Sequence, residues 1–263
     1  MANPTPHRAR KRFGQNFLHD QTIIRRIISA INPLAGQNIV EIGPGQGALT
    51  LPLLKACGRL TAIELDRDLI ASLQQRAASV GDLELINADV LKLDLSSLQL
   101  DPPLRLVGNL PYNISTPLMF HLLEFSDLIS DMTFMLQKEV AERILAGPGG
   151  KNYGKLSVMM HYHCDADYLL DVPPQSFNPR PKVDSAVIRL TPLASPRVDI
   201  ANREVLEQVV TAAFSQRRKT LSNSLKGLLD RDLIAAQGID PGARAETLSL
   251  EQFASLSRLL DDR

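Results

Sequence analysis

A few short stretches of this chain bring together residue types that could do chemistry. The first is Glu41-Ile42-Gly43-Pro44-Gly45-Gln46-Gly47. Glycines directly after a strand let the backbone approach a ligand closely and turn tightly into a helix N-terminus. The next are two acids further on, Glu64 in Glu64-Leu65-Asp66 and Asp89 in Ala88-Asp89-Val90. Glu64 lies 21 residues after Gly43, the place from which a carboxylate accepts hydrogen bonds from ribose hydroxyls in dinucleotide folds. Asp89, at the end of a third strand, could accept one from an adenine amino group. Gly43, Gly45, Glu64, Leu65, Asp89 and Val90 are therefore candidate cofactor residues. An NAD-binding domain and a purely structural turn are the competing readings. Two details favour a methyl donor. The glycines are spaced G-x-G-x-G rather than G-x-G-x-x-G, and Glu41 adds an acid at the strand end. An acidic cleft suits the sulfonium and amino-acid tail of S-adenosylmethionine better than the pyrophosphate of NAD.

The last stretch is Gly108-Asn109-Leu110-Pro111-Tyr112. The exocyclic amine of adenine is a poor nucleophile because its lone pair delocalises into the ring. The Asn109 side-chain carbonyl and the Leu110 main-chain carbonyl could both accept its N–H bonds and aim the lone pair at a methyl group. Pro111 stiffens the turn, and Tyr112 can stack on the base. Such catalysis is positioning plus electrostatics, with no general base needed before attack. A strand-ending turn with a buried tyrosine is the bland alternative.

These residues need a frame. Gln21–Asn32 carries Ile23, Ile24, Ile27, Ile28 and Ile31 at helical spacing, with Asp20 as N-cap. Strands are predicted at 38–42, 60–65, 83–87, 104–107 and 132–137, alternating with helices at 48–57, 67–79, 116–125 and 138–146. That alternation predicts an α/β fold with a parallel, doubly wound, Rossmann-like sheet. After the break Gly147-Pro148-Gly149-Gly150, strands are predicted at 156–164 and 186–190, separated by a Pro-rich stretch. Pro192–Pro196 reads as a linker, and from Asn202 the periodicity is helical. The expected domains are 1–193, catalytic and cofactor-binding, and 194–263, all-helical.

Length and composition bound the rest. The chain has 263 residues, 44% hydrophobic and 22% charged, with 2 cysteines, which excludes a disordered chain, a collagen-like fibre and a disulfide scaffold. No apolar run reaches membrane-spanning length. The basic N-terminus lacks the apolar core of a secretory leader, so a cytoplasmic protein is expected. Lys+Arg and Asp+Glu are 29 each, which on its face argues against a polyanionic partner. Partitioned, the charge is +5 over 1–33, −6 over 34–150, −1 over 151–171, +5 over 172–226 and −3 over 227–263. The acidic block holds the pocket proposed for a cationic cofactor. The basic blocks hold candidate phosphate contacts: Arg10, Lys11 and Arg12, then Arg180 and Lys182, then Arg217, Arg218 and Lys219 at the start of a helix. A solvated helix end is the plainer reading of that last group.

The motifs together resemble the ribosomal RNA adenine N6,N6-dimethyltransferase family, over nearly the whole chain. They are Arg12-Phe13-Gly14-Gln15-Asn16-Phe17-Leu18, the glycine stretch, Asn109-Leu110-Pro111-Tyr112-Asn113, Phe177-Asn178-Pro179-Arg180-Pro181-Lys182-Val183-Asp184-Ser185 and Phe214-Ser215-Gln216-Arg217-Arg218-Lys219-Thr220-Leu221. The resemblance implies a class I methyltransferase sheet. It implies S-adenosylmethionine as donor and two methylations of each of two adjacent adenosines in the 3′-terminal hairpin of small-subunit (16S) rRNA, in the 30S pre-ribosomal particle. It also implies cofactor contacts from Asn16 and Leu18, with Gln15 beside them, and from Gly43, Glu64, Asp89 and Asn109. Tyr112 and Phe177 would hold the target adenine between them. From the residues alone, Phe177 on a proline-stiffened loop could equally be a core plug. An N6-adenine DNA methyltransferase shares the Asn-Leu-Pro-Tyr logic, and a non-catalytic ribosome-assembly protein is the alternative outside enzymes. A monomer is expected. His161 and His163, on one face of the strand predicted there, lack the further ligands a metal site needs.

Overall fold

The computed structural model describes residues 15–261. Its elements run β1 (Phe17–Leu18), α1 (Gln21–Ile31), β2 (Asn38–Ile42), α2 (Thr50–Cys57), β3 (Arg59–Glu64), α3 (Arg67–Ala77), β4 (Asp82–Asn87), β5 (Leu104–Asn109), α4 (Ser115–Leu123), β6 (Ile129–Gln137) and α5 (Lys138–Leu145). Then follow α6 (Lys155–His163), β7 (Cys164–Val172), β8 (Phe177–Asn178), β9 (Ser185–Pro192), α7 (Arg203–Phe214), α8 (Leu221–Ser224), α9 (Arg231–Ala236) and α10 (Leu250–Asp261). The chain divides into two units: one runs through Ala141 and includes Asp167–Pro192, and the other comprises Glu142–Ala166 and the chain from Leu193 onward.

The first unit is built on a seven-stranded sheet of order β4-β3-β2-β5-β6-β9-β7. β2, β3, β4, β5 and β6 are parallel, and β9 runs antiparallel to β6 with Gln137 opposite Ser185. The sheet is thus mixed rather than wholly parallel. From β2 the chain builds outward through β3 and β4, then returns to add β5 on the other side. That reversal opens a crevice at the carboxyl ends of β2 and β5. Ile39 and Val40 point to opposite faces and both are buried, so both faces of the sheet are covered. Helix α1 is held there by its isoleucine stripe. Ile23, Ile24, Ile27 and Ile31 are buried in one cluster with Leu53, Leu54, Leu73 and Val107. Isoleucine is a middling helix former, but each buried side chain stabilises the fold by about 1.5–3 kcal/mol. Asp20 starts α1, its Oδ1 accepting from Thr22 N at 2.9 Å and Ile23 N at 3.2 Å.

The second unit departs from expectation. Leu156–Cys164 reads as a strand because Leu156, Val158, Met160, Tyr162 and Cys164 fall at every second position, with Ser157, His161 and His163 between them and Met159 as the exception. The structure instead makes it helix α6, and the strand begins at Cys164. Leu156, Val158, Met159, Met160 and Tyr162 are all buried, so the helix is enclosed nearly all round and shows no one-sided stripe. Ser157 is the polar residue on it that is fully buried, and it is satisfied: Oγ donates to Arg143 O at 2.5 Å and accepts from Gly154 N at 3.0 Å. Val158 and Tyr162 share a core with Leu206, Val209, Leu221 and Phe253. That core draws Glu142–Ala166 away from the domain expected to run unbroken to residue 193.

Candidate active site

A cleft opens at the carboxyl ends of β2, β3 and β5, bordered by the segments that follow them and by residues 15–18. The glycine turn forms its floor. Gly43 sits at φ +69° and its N–H donates to Ile63 O at 2.9 Å, tying the turn to β3. Gly108 makes room from below: a Cβ there would lie 2.5 Å from the Ile42 carbonyl oxygen. Backbone cannot yield as a flexible side chain can, so β2 and β5 approach this closely only with glycine at 108.

The acids divide into different roles. Glu64 Oε2 accepts from Gly45 N at 3.1 Å and Oε1 from Asp66 N at 2.8 Å. Burial raises its pKa, and these two hydrogen bonds oppose the rise. Each oxygen retains a lone pair, so the side chain can brace the glycine turn and still accept from a ligand. Asp89 also lines the cleft, its Oδ1 accepting from Leu91 N at 3.1 Å. Glu41 is 1% exposed, and its Oε2 lacks a hydrogen-bond partner among the described residues. Burial pushes its pKa up to about 8, with the Thr50 side chain opposing the rise and the charge of Glu64 adding to it. An orphaned carboxyl oxygen at the cleft wall fits a cationic ligand, and with the glycine floor it makes the site fit S-adenosylmethionine. Leu65, 49% exposed at the cleft edge, and buried Val90 offer apolar surface to a flat ring.

The Asn-Leu-Pro-Tyr turn closes one side. Asn109 Nδ2 donates to the main-chain carbonyl of Asn16 at 3.1 Å, which leaves Oδ1 as acceptor. Leu110 N donates to Met135 O at 3.1 Å, and Pro111 O accepts from Ile114 N at 3.1 Å. The Tyr112 hydroxyl meets Ser185 Oγ at 2.7 Å, and burial pushes the phenol pKa up. Gln15, Asn16 and Leu18 lie along the same cleft. Gln15 Nε2 donates to Asp66 Oδ2 at 3.0 Å.

Phe177 does not itself line the cleft. It is 3% exposed and packs with Leu18, Leu170, Val172 and Val187. The short antiparallel pair of β1 with β8 sets Leu18 opposite Phe177, and strand alternation turns Phe177 inward while Asn178 faces out. Directly opposite residues of an antiparallel pair share a face, so Phe177 sits beside Leu18, which lines the cleft, and packs into the cleft wall there.

The basic residues also separate. Arg10, Lys11 and Arg12 lie outside the described residues. Arg180 and Lys182 lie on the loop from β8 to β9, whose ends adjoin Phe17 through Asn178 and Tyr112 through Ser185. In the second unit, Arg217, Arg218 and Lys219 occupy a turn, and the helix after them starts only at Leu221. Arg217, exposed like its neighbours, is held by the second unit's own backbone: it donates to Lys151 O at 2.6 Å and Tyr153 O at 3.4 Å and lies 3.8 Å from Glu246. Arg218 and Lys219 are exposed as well. His161 and His163 fall on helix α6, where positions two apart do not share a face, so the strand-face pairing is corrected. No group of three metal-ligating side chains occurs among the described residues, and no helix there is long and apolar enough to cross a membrane.

Some supports had no role in the sequence reading. Asn87 Nδ2 donates to Glu64 O at 2.8 Å and Leu65 O at 3.3 Å, holding the end of β3. Asp66, two residues beyond Glu64, caps α3 and receives Gln15. Ser185 anchors Tyr112. Nothing local marks Asn87, and Ser185 ends the Phe177–Ser185 motif without any sign of its role, because the partners of both are distant in sequence.

The family model described as ribosomal RNA adenine dimethylase matches residues 6–262. The chain is 56% identical to "Ribosomal RNA small subunit methyltransferase A" of Acinetobacter baylyi over 95% of this chain and 92% of that protein. A dimethyladenosine transferase from Plasmodium falciparum superposes with TM-score 0.78 at 27% identity, covering 91% of this chain and 95% of that one. The 23S rRNA methyltransferase ErmE superposes with TM-score 0.73 at 29% identity, covering 94% and 100%.

Proposed function

The chain belongs to the ribosomal RNA adenine dimethylase family, and from that premise we infer that it dimethylates N6 of adenosines in small-subunit (16S) rRNA. The donor is S-adenosylmethionine, which when bound supplies a methyl group made electrophilic by its sulfonium. The observation that carries the reading is that one cleft contains both the acid-and-glycine cradle and the Asn109–Tyr112 turn.

The chain's own residues then act by placement. Asn109 Oδ1 and the Leu110 carbonyl accept the two N–H bonds of the adenine amine and draw it toward tetrahedral geometry. Tyr112 stacks on the base, supported by a turn that Pro111 stiffens. The amine carries its proton through attack and releases it once it has become cationic, so no side chain has to ionise first. After one methylation the amine keeps one N–H, and a single acceptor suffices to orient it again. Glu64 and Asp89 serve the ribose and adenine of the donor, while Gly43, Gly45, Leu65, Val90, Gln15, Asn16 and Leu18 shape its pocket. Arg180, Lys182, Arg218 and Lys219 hold RNA phosphates, with Arg10, Lys11 and Arg12 adding to the grip.

The substrate is the 3′-terminal hairpin, with its two adjacent adenosines, in a 30S pre-ribosomal particle. The protein works as a monomer in the cytoplasm, during small-subunit biogenesis. The test is transfer of labelled methyl groups to small subunits lacking the modification and to duplex DNA. Dimethyladenosine in the RNA alone is the expected result. Methylation of DNA alone overturns the reading.

A further inference from the structure

We propose that Ser185 is a positioning residue for the Tyr112 ring, acting through its hydroxyl to fix the plane on which the target base stacks. The inference rests on the reading of Tyr112 given above and goes one step further back in the structure. The phenol oxygen lies on the axis of the ring's second torsion, so a bond there fixes where that axis points. It also orients the ring plane through the preference of the phenol O–H for lying in that plane; the second torsion is otherwise softly held. The near end is fixed by the turn: Pro111 has a locked φ, and its carbonyl accepts from Ile114 N and from Ser115 Oγ, each at 3.1 Å. The far end is fixed by Ser185, whose Oγ lies 2.7 Å from the Tyr112 hydroxyl.

Ser185 is suited to the task because it is rigidly held. It is fully buried, with 0% exposure. It is the first residue of β9 and pairs with Gln137 in the antiparallel ladder to β6. The preceding carbonyl, Asp184 O, accepts from Lys138 N at 3.0 Å. Tyr112 itself is only half-buried, so a face of the ring stays available while its hydroxyl end is tied down. The same serine ends the loop that carries Arg180 and Lys182. The phosphate contacts proposed for that loop are therefore covalently continuous with the residue that sets the ring.

The experiment compares Ser185→Ala, Tyr112→Phe, their double variant, Ser185→Thr and Tyr112→Ala. Each is assayed for kcat and KM toward small-subunit RNA, with melting temperature and S-adenosylmethionine affinity as folding controls. Ser185→Ala and Tyr112→Phe break the same hydrogen bond from opposite sides. Each should lower kcat by about 10- to 100-fold with KM for RNA nearly unchanged. The double variant should be no worse than either single one. Ser185→Thr, which keeps the hydroxyl, should recover most of the loss. A Tyr112→Phe enzyme within about twofold of the parent, or losses that multiply in the double variant, overturns the role of Ser185. If Tyr112→Ala also retains activity, the stacking assignment of Tyr112 falls as well. If Tyr112→Ala is inactive while the hydrogen-bond variants are not, only the present inference fails.

Discussion

Asn109 donates its side-chain N–H to the main-chain carbonyl of Asn16, 93 residues away in sequence, at 3.1 Å. This bond settles which way the amide faces, because only the Nδ2 end can donate to a carbonyl. The oxygen end is left as the acceptor a target amine needs. Asn109→Ala removes that acceptor, and kcat for methyl transfer should fall by about 10²–10³-fold, the usual cost of deleting one preorganised polar group at a reacting centre. Asn109→Asp keeps an oxygen but cannot donate to Asn16, and should also be impaired. Single-turnover transfer of labelled methyl groups measures both. Unchanged rates for the alanine variant would show that another group orients the amine.

Glu41 makes the site sensitive to pH. Its pKa rises from 4.5 to about 8 because it is buried, with Glu64 nearby adding to the effect. Between those values the folded chain keeps a proton that the unfolded chain has lost. This group's contribution to stability therefore falls as pH rises through that window, and is level above it. A cationic ligand favours the ionised form. Binding S-adenosylmethionine below about pH 8 should then release a proton, and affinity should rise by up to about tenfold per pH unit until Glu41 is ionised. Titration calorimetry in buffers of different ionisation enthalpy measures the proton directly. Glu41→Gln should flatten the pH dependence of both stability and affinity. A flat profile in the parent protein would remove Glu41 from the account.

The frame and cleft are legible in the sequence where the signal is local. The strand-to-glycine turn at 38–47, the Asp20 cap and the isoleucine stripe of α1 are each specified by neighbours within a few residues. Glu64, Asp89 and Asn109 follow, because each ends or follows a parallel strand and must emerge at the same sheet edge. Helix α6 is not legible. Its residues are buried nearly all round, and a fully enclosed helix carries no periodic stripe, so chance alternation looks like a strand. The placement of Phe177 is hidden for a related reason. The loop's prolines are visible, but the β1–β8 pairing that turns its ring inward links residues about 160 positions apart. Ser185 and Asn87 stay silent because their roles lie in contacts across the fold.

If Phe177 acts through packing alone, it should behave by volume. Phe177→Ala should destabilise the first unit by about 3–5 kcal/mol through lost burial and a residual cavity. Phe177→Leu should cost less than about 1.5 kcal/mol if the neighbours repack. Methyl transfer by the leucine variant should stay near the parent rate wherever the protein is folded. Denaturant unfolding and kcat, measured on the same samples, separate the alternatives. A drop of about 100-fold in kcat for Phe177→Leu at unchanged stability would mean that the ring reaches the substrate after all.

The cluster at 217–219 should split along the lines the hydrogen bonds draw. All three are exposed, but Arg217 is occupied by Lys151 O, Tyr153 O and Glu246. Arg217→Ala should lower thermal stability modestly, by about 1 kcal/mol or less, since it removes these bonds but leaves carbonyls that water can reach. Arg218→Ala and Lys219→Ala should leave stability within about 0.5 kcal/mol, as expected for solvated side chains. Like Arg180→Ala and Lys182→Ala in the first unit, they should weaken RNA binding and reduce the slope of log K against log salt by roughly one each. Affinity for S-adenosylmethionine should be untouched by all four, because its pocket is lined by none of them. The net charge of zero thus hides two ligands of opposite sign, and salt should tell them apart. RNA affinity should fall steeply between about 50 and 200 mM salt, while affinity for the buried, cationic cofactor changes little. An RNA affinity indifferent to salt would place the grip somewhere other than these side chains.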